Sequence, residues 1–216
     1  MRGINIILNS LDVAAPLIAI LIFLYKPRKV SNELWPIFAF CVIQLVCNLT
    51  ASIFVSLQIK NYWIYKVNTI LSFYFILYFF LKYLITLKKY AVGAIILFFL
   101  IAVTILYYLG DGTRNFDSGS AALASIIIVG LCLYFFYNKL INSSEEISVP
   151  ETAVFWCIVG IFTYYAGGFF IFISYKFLIH SDPATIGTVW RFHNLLLLIC
   201  CLYIGYGVLC KSYRTT

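Results

Sequence analysis

Residues 188–210 read TVWRFHNLLLLICCLYIGYGVLC. An α-helix rises 1.5 Å per residue, so about 20 apolar residues cross the ~30 Å hydrocarbon core of a bilayer. This run is long enough to do so, yet its front carries Trp190, Arg191, His193 and Asn194. Reading it as a transmembrane helix raises a second question: what those polar side chains meet inside the membrane.

Outward from this stretch, the whole chain has the same character. It holds 216 residues, 63% hydrophobic and 11% charged, with a mean hydropathy of +0.99. Soluble domains carry about 25% charged residues, so this chain has less than half the charge that keeps such a domain in water. The expected fold is an all-α polytopic membrane protein: one domain, residues 1–216, forming a seven-transmembrane-helix bundle. The spans are placed at 4–25, 33–58, 61–87, 90–109, 118–141, 149–180 and 183–210. Transmembrane β-strands would alternate in polarity over about ten residues, and these runs are too long and too evenly apolar.

Local signals mark the span ends. Ser148-Val-Pro-Glu151 has the S-x-x-E form of a capping box. Asp182 before Pro183 reads as an N-cap with proline at the first helical position. GDGTRNFDSGS, residues 110–120, is a turn-rich loop. At the amino end, the positive cluster follows the apolar run and no small-residue cleavage site is evident, so the first run is expected to be a retained helix. The polar stretches around 110–118 and 138–151 are of ordinary loop length, so no separate soluble domain is expected.

Lys and Arg set the expected orientation. Lys26, Arg28, Lys29, Lys88, Lys89, Lys139, Lys211 and Arg214 fall on one side, and Arg2, Lys60 and Arg114 on the other. Lys66, Lys82, Lys176 and Arg191 lie within spans, with Lys82 and Lys176 expected to snorkel to the headgroups. This places the amino terminus outside and the carboxyl terminus in the cytoplasm, with the cytoplasmic (inner) membrane of a bacterium as the expected location. The net charge of +7 is explained by cytoplasmic anchoring and not by nucleic acid.

Polar residues in a span should face protein or a cavity, and ionisable ones are functional candidates. By helical rise, Asp12 lies roughly 12 Å into the first span, Arg191 roughly 12 Å into the seventh, and Lys66 and Asn68 roughly 8 and 11 Å into the third. Asn48 falls roughly 15 Å down the second, and His193 and Asn194 roughly 15 to 17 Å down the seventh. All lie in the outer half. They also share faces: Asn5, Asn9, Asp12 and Pro16 on the first helix; Gln44, Asn48, Ser52 and Ser56 on the second; Tyr65, Asn68, Thr69 and Ser72 on the third.

In the opening stretch, Trp190, His193, Asn194, Cys200, Cys201 and Gly205 share an arc of about 140°, with Arg191 at its border. Phe192, Leu195, Leu196, Ile199 and Leu202 take the opposite arc. An unpaired charge in hydrocarbon costs ~2.5–3.5 kcal/mol by insertion scales. The equal depth of Asp12 and Arg191 makes their ion pair the economical expectation, either as a register-fixing clasp or as part of a ligand site. The fourth span is almost wholly apolar and belongs at the periphery. The sixth, at about 30 residues, must tilt, kink or project, and Ala166-Gly167-Gly168 should let another backbone come close.

Several chemistries are disfavoured. Lys211 sits at the inner end of the last span, where a retinal pigment would need a mid-helix lysine. Only His180 and His193 are available as histidine ligands, so a zinc site with Asp182 is a remote option and no cofactor is expected. The serines of DSGSAALAS lie at the wrong level for His193 to act as their base. Cysteines 41, 47, 132, 157, 200, 201 and 210 show no C-x-x-C spacing and read as buried packing residues. Proton-coupled transport commonly uses mid-membrane carboxylates, and Asp12 is the one acid deep in a span. The chain is not expected to be an enzyme.

What remains is a receptor- or sensor-like protein with an outward-facing pocket walled by helices 1, 2, 3 and 7. The candidate binding residues are Asp12, Asn48, Lys66, Asn68, Trp190, Arg191, His193 and Asn194, suited to a small polar or anionic ligand because Arg offers a fork matching carboxylate or phosphate. The signal would pass to a separate partner in the membrane or cytoplasm, with lipid around the bundle. One alternative is a facilitative transporter built as three helices, an apolar linker helix and three more. That arrangement resembles the SWEET and semiSWEET sugar carriers, in which asparagines on helices 3 and 7 face substrate, here Asn68 and Asn194. The PQ motif of those carriers is absent. The other alternative is a structural subunit of a membrane complex.

Overall fold

The computed structural model describes residues 2–25, 34–83, 89–109, 116–141, 152–178 and 183–210. Among them are seven helices and no strand: α1 (Arg2–Tyr25), α2 (Trp35–Ser56), α3 (Tyr62–Tyr83), α4 (Lys89–Leu109), α5 (Ser118–Ile141), α6 (Ala153–Leu178) and α7 (Pro183–Leu209). Six are long and apolar enough to cross a membrane; α4 is apolar over Gly93–Leu106, a shorter described stretch. The bundle is that of an integral membrane protein.

The helix starts follow local chemistry. Proline stands in the first turn of α2 and opens α7, where a backbone N–H would have no intrahelical partner. Asp117 caps α5, its Oδ1 accepting the Ser120 N–H at 3.1 Å and its Oδ2 the Ser120 hydroxyl at 2.7 Å. Thr152 caps α6, its hydroxyl oxygen accepting the Phe155 N–H at 3.2 Å. The Ser148–Glu151 box, Asp182 and His180 lie outside the described residues, as do the side chains of Lys82 and Lys176.

Packing closes a ring. α1 packs on α2, α2 on α3, α3 on α5, α5 on α6, α6 on α7, and α7 back on α1. Chain order is kept around the ring with α4 left out. α4 rests on α5 and reaches α3 through Phe99, whose ring stacks on Phe73 at 3.7 Å. Leu97, Phe98, Leu100, Ile101 and Ile105 leave its other side exposed. An almost wholly apolar surface gains nothing by entering a ring that holds polar side chains, so it stays on the rim.

The α6–α7 contact is set by glycine, though not at the expected triplet. A Cβ at Gly160 would lie 2.8 Å from the carbonyl oxygen of Cys200, and one at Gly207 2.8 Å from that of Ala153. At these two points the helix backbones touch. Gly167 instead receives the side chain of Leu196, and Gly168 faces Phe172 of its own helix. Leu196 is therefore buried, against the arc assigned to it from the helical period, because Gly167 opens a notch for it.

One end of the ring is filled by apolar side chains. It is built from the C-terminal halves of α1, α3, α5 and α7 and the N-terminal halves of α2 and α6. Phe23, Phe40, Phe79, Phe80, Ile128 and Ile158 are buried there, together with Cys41, Cys132, Cys157, Cys200 and Cys201. The opposite half holds the polar residues.

Candidate functional site

The site begins with a proline. Pro16 sits inside α1 and has no N–H, so the carbonyl four residues earlier, that of Asp12, loses its intrahelical donor. Asn48 of α2 supplies one, its Nδ2 donating to the Asp12 carbonyl oxygen at 2.9 Å. One turn earlier on α1, Asn194 of α7 donates to the Leu8 carbonyl oxygen at 3.2 Å. In a bilayer, backbone groups freed from a helix must be satisfied by neighbouring protein or water. The two asparagines thus clasp α1 between α2 and α7, one turn apart.

A second polar unit joins α2 to α3. Asn68 Nδ2 donates to Gln44 Oε1 at 3.1 Å, Gln44 Nε2 donates to Ser72 Oγ at 3.2 Å, and the Ser72 hydroxyl donates to Asn68 Oδ1 at 3.1 Å. The three form a closed cycle in which each side chain both gives and receives. Gln44→Leu and Asn68→Leu are each expected to lower stability by ~1–2 kcal/mol. The double variant should lose clearly less than the sum, because the first substitution already opens the cycle. Additive losses in chemical unfolding of the micellar protein would show that the two act separately.

Between these units lies a cavity of about 40 Å³. One water needs ~10–15 Å³ on this measure, so the space holds about three. Its wall draws on all six ring helices: Asp12; Gln44 and Asn48; Tyr65, Asn68, Thr69 and Ser72; Ala121, with Phe116 just before α5; Tyr164, Tyr165 and Phe172; Trp190, His193, Asn194 and Leu197. Aromatic rings make one side. Trp190 meets Tyr65 edge-on at 5.5 Å between centroids and Phe116 at 5.6 Å, and stacks on His193 at 5.2 Å. His193 is 9% exposed; Tyr164 hydroxyl and His193 Nε2 are 3.1 Å apart, while Nδ1 is buried with no hydrogen-bond partner among the described residues.

Of the eight candidate residues, Asp12, Asn48, Asn68, Trp190, His193 and Asn194 line this cavity, whereas Lys66 and Arg191 do not. The expected Asp12–Arg191 pair is not formed. Arg191 turns back along its own helix, with Nε donating to the Gly187 carbonyl oxygen and Nη2 to Thr188 Oγ1, both at 3.0 Å. Gly187 has no side chain, which leaves a lane beside α7 for the guanidinium. Lys66 reaches the other way, its Nζ 3.7 Å from Oδ2 of the α5 cap Asp117. Equal depth did not imply contact, because a long cation on a face border chooses the nearest acceptor.

Sequence reasoning missed the walls supplied by α5 and α6. Tyr164, Tyr165 and Phe172 sit in an aromatic-rich helix where nothing separates wall from lipid-facing residues. Gln44, Thr69 and Ser72 belong to the polar stripes already evident. Asp117 was legible only as a loop residue, although D-x-x-S before an apolar run is itself a capping pattern.

Chemically, the wall offers one carboxylate, amides, hydroxyls, an imidazole and aromatic faces, a set suited to holding a small polar molecule. Comparison with known proteins finds no matching family model, no similar curated protein and no similar solved structure.

Proposed function

We propose that this chain is a non-enzymatic integral membrane protein that binds a small polar solute in the axial cavity and acts as a receptor or sensor. In this reading the amino terminus and the cavity-bearing end face outward and the carboxyl terminus is cytoplasmic, following the Lys and Arg distribution. A separate protein takes up the signal. The observation that carries the reading is that every helix of the ring contributes to one cavity, where amide, hydroxyl and carboxylate groups stand among aromatic and apolar side chains. Occupancy then bears on all six helix contacts at once, which is how a solute with differential affinity shifts a conformational equilibrium.

A facilitative carrier is the second reading. It is favoured by the ring order, in which α1–α2–α3 and α5–α6–α7 form two consecutive triplets with α4 outboard. The apolar packing of the other half argues for the sensor, since it gives the solute no continuing polar path.

Small polar solutes at millimolar concentration are expected to raise the melting temperature of the purified protein. Ala121→Leu, which pushes a larger side chain into the cavity wall, should abolish the shift without preventing folding. If no solute shifts the melting temperature, or the filled variant responds equally, the cavity is not a binding site. Flux of a stabilising solute into proteoliposomes would move the assignment from sensor to carrier.

A further inference from the structure

We infer that the solute is a small organic cation, an ammonium head held by Asp12 against the Tyr65–Trp190–Phe116 aromatic wall, and not an anion; the inference rests on the binding role proposed above. Three observations carry it. First, Asp12 is the one charged side chain among the residues lining the cavity. The two cations that sequence depth would bring to it are engaged elsewhere, Lys66 toward Asp117 and Arg191 along its own helix.

Second, bonds within the protein set which way the amides point. Asn48 and Asn194 each direct an amide N–H at a carbonyl of α1, which settles their orientation and leaves each side-chain oxygen to accept. The Gln44–Asn68–Ser72 cycle is closed on itself. Thr69 donates to the Tyr65 carbonyl, so its oxygen too is left as an acceptor. The wall therefore offers the Asp12 carboxylate and the Asn48, Asn194 and Thr69 oxygens as acceptors, beside the second N–H of each amide. A primary ammonium, with three N–H groups and no acceptor, can donate to several of those oxygens at once.

Third, the aromatic wall stands beside the acid. Tyr65, Trp190 and Phe116 line the same cavity as Asp12, and the Tyr65 ring meets Trp190 at 5.5 Å and Phe116 at 6.0 Å. Aromatic faces attract cations, Trp most strongly. The faces of the same rings repel a carboxylate or phosphate. With room for about three waters, the cavity takes an ammonium carrying one or two carbons, or the tip of a larger amine.

The test uses methylammonium chloride, its neutral counterpart acetamide and its charge-reversed counterpart sodium acetate, titrated calorimetrically into the full chain in detergent. Methylammonium is expected to bind at least tenfold more tightly than acetamide, with acetate not binding. Asp12→Asn should weaken methylammonium at least tenfold and leave acetamide unchanged. Trp190→Leu keeps the acid and should weaken methylammonium severalfold, so the inference stays testable if Asp12→Asn does not fold. Arg191→Gln should have no effect.

Acetate binding as tightly as methylammonium, or loss of binding on Arg191→Gln, would overturn the inference. Acetamide binding with no preference for methylammonium overturns the cation and leaves the pocket standing. No binding by any of the three removes both. A short-chain phosphatidylethanolamine added as competitor identifies the source of the ammonium: displacement of methylammonium points to a lipid headgroup, no displacement to a free amine.

Discussion

Gly160→Ala and Gly207→Ala are each expected to lower stability by ~1–3 kcal/mol, the cost of overpacking a fitted interface. At Gly160 the new Cβ would stand 2.8 Å from the Cys200 carbonyl oxygen and 3.0 Å from Tyr203 Cβ. At Gly207 it would stand 2.8 Å from the Ala153 carbonyl oxygen and 3.2 Å from Trp156 Cβ. The obstacle in both cases is backbone or its first side-chain carbon, which cannot rotate away, so α6 and α7 must separate. Because one separation relieves both clashes, the double variant should cost less than the sum. Gly167→Ala meets only the flexible end of Leu196 and should cost less. Gly130→Ala has nothing within 4 Å and should be neutral or gain ~0.5–1 kcal/mol from helix propensity. Denaturant unfolding of the micellar proteins ranks the four. If Gly160→Ala is no worse than Gly130→Ala, the backbone contact between α6 and α7 is not there.

Asn48→Leu is expected to cost ~1–2 kcal/mol, and Pro16→Ala should remove most of that cost. Asn48 donates to the carbonyl of Asp12 because Pro16 has no N–H to offer it. With alanine at position 16 the helix can close its own hydrogen bond, and the amide of Asn48 becomes dispensable. A double-mutant cycle over the two positions should therefore show a coupling of about 1 kcal/mol or more. Asn194→Leu, which removes a second acceptor contact to Leu8 and not a proline's missing donor, should show no such rescue. Equal losses for Asn48→Leu in both backgrounds would mean that the amide serves the cavity and not the helix. In that case solute binding, rather than unfolding, would report its loss.

The residues of the site were largely visible as a pattern before their contacts were. Asn48, Asn68, His193 and Asn194 could be picked out because a carboxamide or imidazole deep in an apolar run must face protein, and helical period says which neighbours share that face. The same logic named the stripes of Gln44 and of Tyr65, Thr69 and Ser72. It could not say that Asn48 answers Pro16, because that depends on α2 lying beside α1 at one particular height. Nor could it tell that Arg191 lies along its own helix, since a side chain of that length reaches several acceptors and the choice was made by the lane at Gly187.

Apolar runs of bilayer length, too long and too evenly apolar for strands, determined an all-helical membrane protein from the sequence alone, because helix length and hydrogen-bond satisfaction in lipid are local properties of a segment. Tertiary structure alone decided the order of helices around the ring, the backbone contacts at Gly160 and Gly207, and the placement of Asp12, but not Lys66 or Arg191, in the cavity wall. Each of these turns on which surfaces meet and in what register, and a single chain read end to end carries no record of distance between its parts.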